Sequence, residues 1–235
     1  MKKLTSLISL FLVACMALTA CGGNLTSGNN TQTSGGNTQQ PSSSASAGSS
    51  SAANESGYTF RTSADNKVVT ENGTFTKDNV TTPVLVTSLG QSADVSMLDA
   101  LMKKVGADYT FNATASADEV AGYKTVIIAC GASSKGLGAA GISQEDELAR
   151  AQAIIDTASS NGITVIAAHL GGAARRGALS DQFNDMALSC ASYVLVVEEG
   201  NNDGKFTDAA ADKGIPITLL NSIADAMTPL TELFG

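Results

Sequence analysis

The sequence predicts an α/β fold: a single-domain, three-layer, doubly wound and mostly parallel sheet of about six strands, flavodoxin-like or Rossmann-like. Three observations predict it. Six short apolar runs rich in Val and Ile recur from position 84 onward. Segments of helical period lie between them, joined by short connections. The runs are continuously apolar rather than alternating, as expected of strands covered on both faces. Such an order implies right-handed crossovers, and the flavodoxin-like strand order is favoured over the dinucleotide-binding one.

The elements follow in turn. Pro83 precedes the first strand, Val84 to Thr87. Ser92 is read as the N-cap of a helix reaching Val105, with Val95, Leu98, Leu101 and Met102 on one face and Gly106 as its stop. Tyr109 to Phe111 forms the second strand. Ser116 opens a short helix with Asp118 and Glu119 in its first turn, favourable against the helix dipole. Thr125 to Ala129 is the third strand, and a Gly-rich loop runs from Gly131 to Gly141. Ser143 to Asp146 approximates a capping box for a helix ending at Gly162, with Leu148, Ala151, Ile154 and Ile155 inward. Ile163 to Ala168 is the fourth strand, and Ser180 is read as capping a helix that ends near Cys190. Tyr193 to Val197 is the fifth strand, with a helix around Asp208 to Asp212 behind it. Ile215 to Leu220 is the sixth, and a helix from Ser222 to Leu233 closes the domain. The segment from Tyr58 to Thr82 reads two ways: as a hairpin turning at Asn72-Gly73, or as more of the linker before it.

The first 57 residues belong to another regime. Lys2 and Lys3 precede an apolar stretch from Leu7 to Leu18, too short to cross the ~30 Å hydrocarbon core of a bilayer as a stable helix. It ends in Leu18-Thr19-Ala20-Cys21, similar to the lipobox of bacterial lipoproteins, in which the cysteine is acylated and becomes the new N-terminus. Residues 1–20 are therefore expected to be a signal peptide and Cys21 a lipidation site, two acyl chains being what stable anchoring needs. From Gly22 to Gly57 the chain is Ser, Gly, Asn, Thr, Gln and Ala with little charge. It buries too little apolar surface to offset ordering entropy, and as a coil of this kind it reaches on the order of 30–36 Å.

Composition excludes some classes. A net charge of −8 argues against nucleic-acid binding and against electrostatic adhesion to anionic lipid. Cys130 and Cys190 are expected at opposite edges of the sheet, too far apart to pair, and packed as small apolar groups. With one histidine and no paired cysteine motif, a zinc site is not expected. No Gly-x-Ser-x-Gly elbow is present. Glu198 and Glu199 are adjacent and expected to face opposite ways. The Asp- and Asn-rich run to Lys205 lacks calcium-loop spacing and reads as a solvated turn.

In open α/β sheets a ligand sits beyond the carboxyl ends of the strands, which selects the candidate residues. Ser88, Gln91 and Ser92 follow the first strand, with Asp94 in the helix turn behind them. Ser133, Ser134, Lys135 and Gly136 follow the third. Gly136-Leu-Gly-Ala-Ala-Gly141 matches the dinucleotide fingerprint in spelling but follows the wrong strand, and no Lys-Ser/Thr pair makes it a phosphate loop. A flexible connection without a ligand has the same composition. His169 ends the fourth strand, where catalytic groups are often placed, although a lone histidine is also commonly structural. Arg175 and Arg176 follow it, able to grip a carboxylate or phosphate or simply to pair with Asp181 or Asp185.

The stretches Thr87-Ser-Leu-Gly-Gln-Ser-Ala-Asp94, Gly131 to Gly141, His169 to Asp181 and Glu199-Gly-Asn resemble a bacterial family of small exported or lipid-anchored proteins, domain of unknown function 6305, from about Pro83 to Gly235. The resemblance implies the fold and the compartment and supplies no catalytic residues or cofactor. The expectation is a lipid-anchored extracytoplasmic protein whose domain binds a small polar, anionic ligand at the carboxyl edge of its sheet. Two alternatives stay open: an extracytoplasmic hydrolase or transferase using His169, with Ser133 or Ser134 as nucleophile or oxyanion donor, and a protein-interaction module of the cell envelope.

Overall fold

The computed structural model describes residues 57–235; the signal stretch, Cys21 and the linker after it lie outside the described residues. One seven-stranded sheet forms the middle layer: β1 (Val68–Glu71), β2 (Val84–Leu89), β3 (Thr110–Phe111), β4 (Thr125–Cys130), β5 (Thr164–His169), β6 (Tyr193–Val197) and β7 (Ile217–Leu220). Their order across the sheet is β1-β7-β6-β5-β4-β2-β3. All neighbours run parallel except β1, which pairs antiparallel with β7. Without β1 the order is the flavodoxin-like one, and the chain reverses its direction of travel between β2 and β4.

Alternation along the parallel strands divides the core in two. Leu85, Val126, Ile128, Val165, Val194 and Ile217 point to one face, under α4 (Gln144–Ser160), α5 (Ala178–Cys190) and α6 (Lys205–Lys213). Val86, Ile127, Ile166, Leu195 and Leu220 point to the other, under α1 (Asp94–Val105) and α7 (Met227–Phe234). The short α2 (Ala117–Val120) and α3 (Ser134–Ala140) complete the set. The described residues 57–235 thus hold a complete sheet with an apolar core on each face, which is what an independent folding unit requires.

The local signals act as chemistry dictates in most places. Ser116, Ser133 and Ser143 each accept a backbone N–H at a helix start, and Gly106 ends α1 at φ 79°. Other readings are corrected. The edge strand β1 is not half of a hairpin: Asn72 and Gly73 turn at positive φ, but β1's partner is β7, with Val68 opposite Leu220. The Gly131–Gly141 loop is interrupted by α3. Ser92 sits one residue before the Ala93 cap and accepts from Asp94 N at 3.3 Å. Ser180 is no cap, since α5 already starts at Ala178; its hydroxyl accepts from Ala132 N and donates to Ala132 O. The 198–205 turn is solvated only in part: Glu199, Asn202 and Asp203 are exposed, whereas Asn201 is fully buried and accepts from Phe206 N at 2.8 Å.

Candidate functional site

The reversal between β2 and β4 brings two loops together at the carboxyl edge of the sheet. Gly90 and Gln91 follow β2, and Gly131 to Ser133 follow β4, joined by a bridge from Gln91 to Ala132. Gln91 adopts φ 55°, a costly conformation for a non-glycine residue. Glu147 explains how it is held. This carboxylate of α4 is fully buried and accepts from Gly90 N at 2.8 Å and from Gln91 Nε2 at 3.1 Å. Arg150 neutralises it through Nε and Nη2, and also donates to the carbonyls of Ala115 and Ser88. Gly136 of α3 packs so closely on this loop that a Cβ there would fall 1.7 Å from Gln91 O.

In front of this scaffold, Asp94 from the first turn of α1 meets Arg175 from the 3-10 turn Gly172–Arg175. Asp94 is 2% exposed. Its Oδ1 lies 3.6 Å from Arg175 Nε, while Asp94 Oδ2 and Arg175 Nε have no hydrogen-bond partner in the protein. Two glycines make the approach possible. A Cβ on Gly171 would fall 2.2 Å from Arg175 Cγ and 2.4 Å from Asp94 Oδ2, and one on Gly131 would fall 3.1 Å from Arg175 Cβ. Outward from Nε, the guanidinium makes one hydrogen bond, from Nη1 to Ala174 O at 3.3 Å.

Arg176 is the opposite case. Its Nε donates to Asp181 Oδ1 at 2.8 Å, and Nη1 and Nη2 donate to Asp203 at 2.9 and 2.8 Å, with a further bond from Nη1 to Gly200 O. The hydrogen bonds to Asp203 and Asp181 push the Arg176 pKa up, and the same bond holds Asp203 down at about 2. Arg176 is therefore a structural cross-link and not a ligand donor. Asp181 is its partner, whereas Asp185 pairs with Lys205.

His169 ends β5, fully buried, beside the same turn. Its Nδ1 lies 3.3 Å from Asn184 Oδ1 and its Nε2 lies 3.1 Å from Gly172 O. The Phe206 ring lies 4.7 Å away by centroid, and a Cβ on Gly200 would come within 2.5 Å of Nε2. Burial lowers its pKa, against the opposing pull of Gly172 O, Asp94 and Asn184. The ring is thus enclosed rather than presented.

The remaining candidates divide the same way. Ser88 is buried within β2 and donates to Ala129 O. Gln91, Ser92 and Gly136 build the loop. Ser133 caps α3, and Ser134 and Lys135 are exposed on its first turn. Among the described residues, the ion pair of Asp94 is with Arg175 and not with Lys135. Cys130 and Cys190 are both free thiols, raised in pKa by burial, Cys190 to about 11. No group of His, Cys, Asp and Glu able to hold a metal is present among the described residues. Glu147, Arg150, Asn184 and Asp203 were not among the candidates. Asp94, in the first turn after β2, and Asp203, in the run after β6, carried a positional signal.

A concavity of about 380 Å³ lies at the β1 edge under α7, lined by Thr70, Thr218, Thr228, Phe75 and Glu232 among others. Its inner hydroxyls satisfy one another: Tyr193 donates to Thr218 at 2.6 Å, and Thr218 and Thr70 are 2.8 Å apart.

The family model named "Domain of unknown function (DUF6305)" matches residues 81–234. The chain belongs to this family. The matched span of this DUF6305 member runs from just before β2 through α7, so it includes both loops of the switch point, Asp94 and Arg175, and leaves out β1. No curated protein matches it. Among solved structures, a GDSL-like lipase from Bacteroides thetaiotaomicron is similar at 12% identity and a TM-score of 0.26, over 60% of this chain and 72% of that one. An inferred acylhydrolase from Bacteroides fragilis is similar at 13% identity and a TM-score of 0.26, over 57% and 64% respectively. Neither likeness carries a residue role to this chain.

Proposed function

We propose that this protein is a lipid-anchored extracytoplasmic receptor that binds a small polar anion at the carboxyl edge of its sheet, with Arg175 as the binding cation. The single observation that carries this reading is the contrast between neighbouring arginines: Arg176 spends its donors on Asp181, Asp203 and Gly200, whereas Arg175 has one hydrogen bond and a guanidinium at the rim. A guanidinium of this kind is suited to bidentate grip of a carboxylate or phosphate. Asp94 narrows the class. Its unpartnered Oδ2 lies beside the cation and accepts but cannot donate. The best fit is a solute carrying an anionic group and, a few ångström away, a hydroxyl or ammonium donor, such as a hydroxy acid or an amino acid.

The switch point is preferred over the groove at β1 because the groove's hydroxyls already bond one another. Anchoring through Cys21 remains part of the proposal, supported by the Leu-Thr-Ala-Cys sequence and the apolar stretch before it. Among the described residues no helix is long and apolar enough to cross a membrane.

A thermal-shift panel of hydroxy acids, amino acids, dicarboxylates and phosphate esters on residues 57–235 tests the reading. A ligand at 100 times its Kd adds about 2.7 kcal/mol, which raises the midpoint by about 5–10 °C. The shift should disappear in Arg175→Ala. A ligand whose shift survives that change binds somewhere else, and the site assignment fails.

A further inference from the structure

We infer that His169 is a proton-operated positioning residue for this site: its doubly protonated ring holds the 172–175 turn and makes anion binding at Arg175 stronger in acid. The inference rests on the reading of Arg175 as the anion-binding group.

The geometry begins with the ring's two partners. Both Asn184 Oδ1 and Gly172 O are acceptors, at 3.3 and 3.1 Å. The Asn184 amide cannot be turned over, because its Nδ2 already donates to Arg175 O at 3.3 Å and Asp181 Oδ1 at 3.2 Å. A neutral imidazole has one N–H and one lone pair. In either tautomer the lone pair faces an oxygen, so one of the two contacts is repulsive. The imidazolium alone satisfies both. The ring cannot escape the conflict, since Gly200 and Phe206 close its other sides.

Both contacts lead to the binding cation. Gly172 opens the turn that ends at Arg175, and Asn184 holds the Arg175 carbonyl. Proton uptake therefore turns two competing contacts into two bonds on the segment that carries the guanidinium. It also places a second positive charge near Asp94, which competes with Arg175 for that carboxylate.

The charged groups around the ring are accounted for. Asp94 on α1 favours the imidazolium and Arg176 opposes it. Asp181 on α5 acts through Asn184. Glu199 stands beside Gly172, its Oε2 2.9 Å from where a Cβ would lie. From α6, Phe206 meets the ring, and the neighbouring Lys205 is neutralised by Asp185. Burial leaves the ring mainly neutral near neutrality, so it loads as the medium acidifies. A bound anion favours the loaded form, and linkage requires the converse: acid strengthens the anion.

This chain has a single histidine, so ring nitrogen signals in a 15N spectrum belong to His169 without further assignment. Residues 57–235 are titrated between about pH 7.5 and 4.5, with and without sulfate, which stays a dianion across that range. The ring pKa should rise in sulfate, sulfate should bind roughly tenfold tighter at the acid end, and the Gly172 and Arg175 amides should titrate with the ring. Arg175→Ala should remove the sulfate effect on the ring, and Asn184→Ala should uncouple the Arg175 amide from it. Sulfate bound at Arg175 with equal affinity at both ends, and an unmoved ring pKa, overturns the inference and leaves the anion site standing. No sulfate binding at any pH, with both amides still following the ring, overturns the anion reading and the coupling built on it.

Discussion

Asp94 and Arg175, 81 positions apart in the chain, meet across the carboxyl edge of the sheet at 3.6 Å, and neither Asp94 Oδ2 nor Arg175 Nε finds a hydrogen bond in the protein. Buried polar atoms without partners are few in folded proteins, and each costs about 1–3 kcal/mol. Gly171 is what lets the pair sit there. Gly171→Ala should therefore remove ligand binding, because its Cβ would overlap Arg175 Cγ and Asp94 Oδ2. Gly171 has φ −82°, so the backbone itself accepts alanine, and the loss of stability should stay within about 1–3 kcal/mol. Parallel denaturant and binding titrations check both halves.

The two arginines should differ in ligand response rather than in whether they matter to the fold. Arg176→Ala strands the carboxylates of Asp181 and Asp203 and the Gly200 carbonyl, and should cost about 2–3 kcal/mol in urea unfolding. Arg175→Ala leaves buried Asp94 without its cation and should cost about 1–3 kcal/mol, and it should abolish the ligand-induced shift.

That contrast marks the limit of what was legible in the sequence. Adjacent arginines in one loop look alike until the chain brings Asp203 to one of them. The caps at Ser116 and Ser143 and the six apolar runs were readable because their causes are local. β1 was not, because Val68 finds its partner Leu220 more than a hundred residues later. Glu147 and Arg150 have the i, i+3 spacing of a surface ion pair, and only the packing of α4 against the β2 loop buries them. His169 was placed correctly at the strand end; its enclosure by Gly200, Asn184 and Phe206 has no signature in spacing.

The acid limb of stability should carry Asp203. The Arg176 hydrogen bond holds its carboxyl at about 2, below the ordinary value of about 4. A depressed carboxylate stabilises the fold above its unfolded pKa and ceases to as pH falls through the folded one. The unfolding midpoint should therefore drop more steeply between about pH 4.5 and 2 in the wild type than in Asp203→Asn. Equal slopes would mean the pair contributes nothing.

The segment leading into the domain should matter to it. Buried Glu198 accepts from Tyr58 OH, Arg61 N, Thr62 N and Thr62 Oγ1. A chain beginning at Ser63 leaves that carboxylate without those donors and should lose about 2–4 kcal/mol, with Glu198→Gln recovering part of the loss. Guanidinium unfolding of the three proteins compares them directly.

The central claim is tested most directly by mapping amide chemical shifts while residues 57–235 are titrated with a simple hydroxy acid such as glycolate. The account predicts saturable shifts concentrated at Asp94, Gly131, Gly171, Gly172 and Arg175, absent in Arg175→Ala. Shifts concentrated instead at Thr70, Thr218 and Thr228, in the groove under α7, would contradict it.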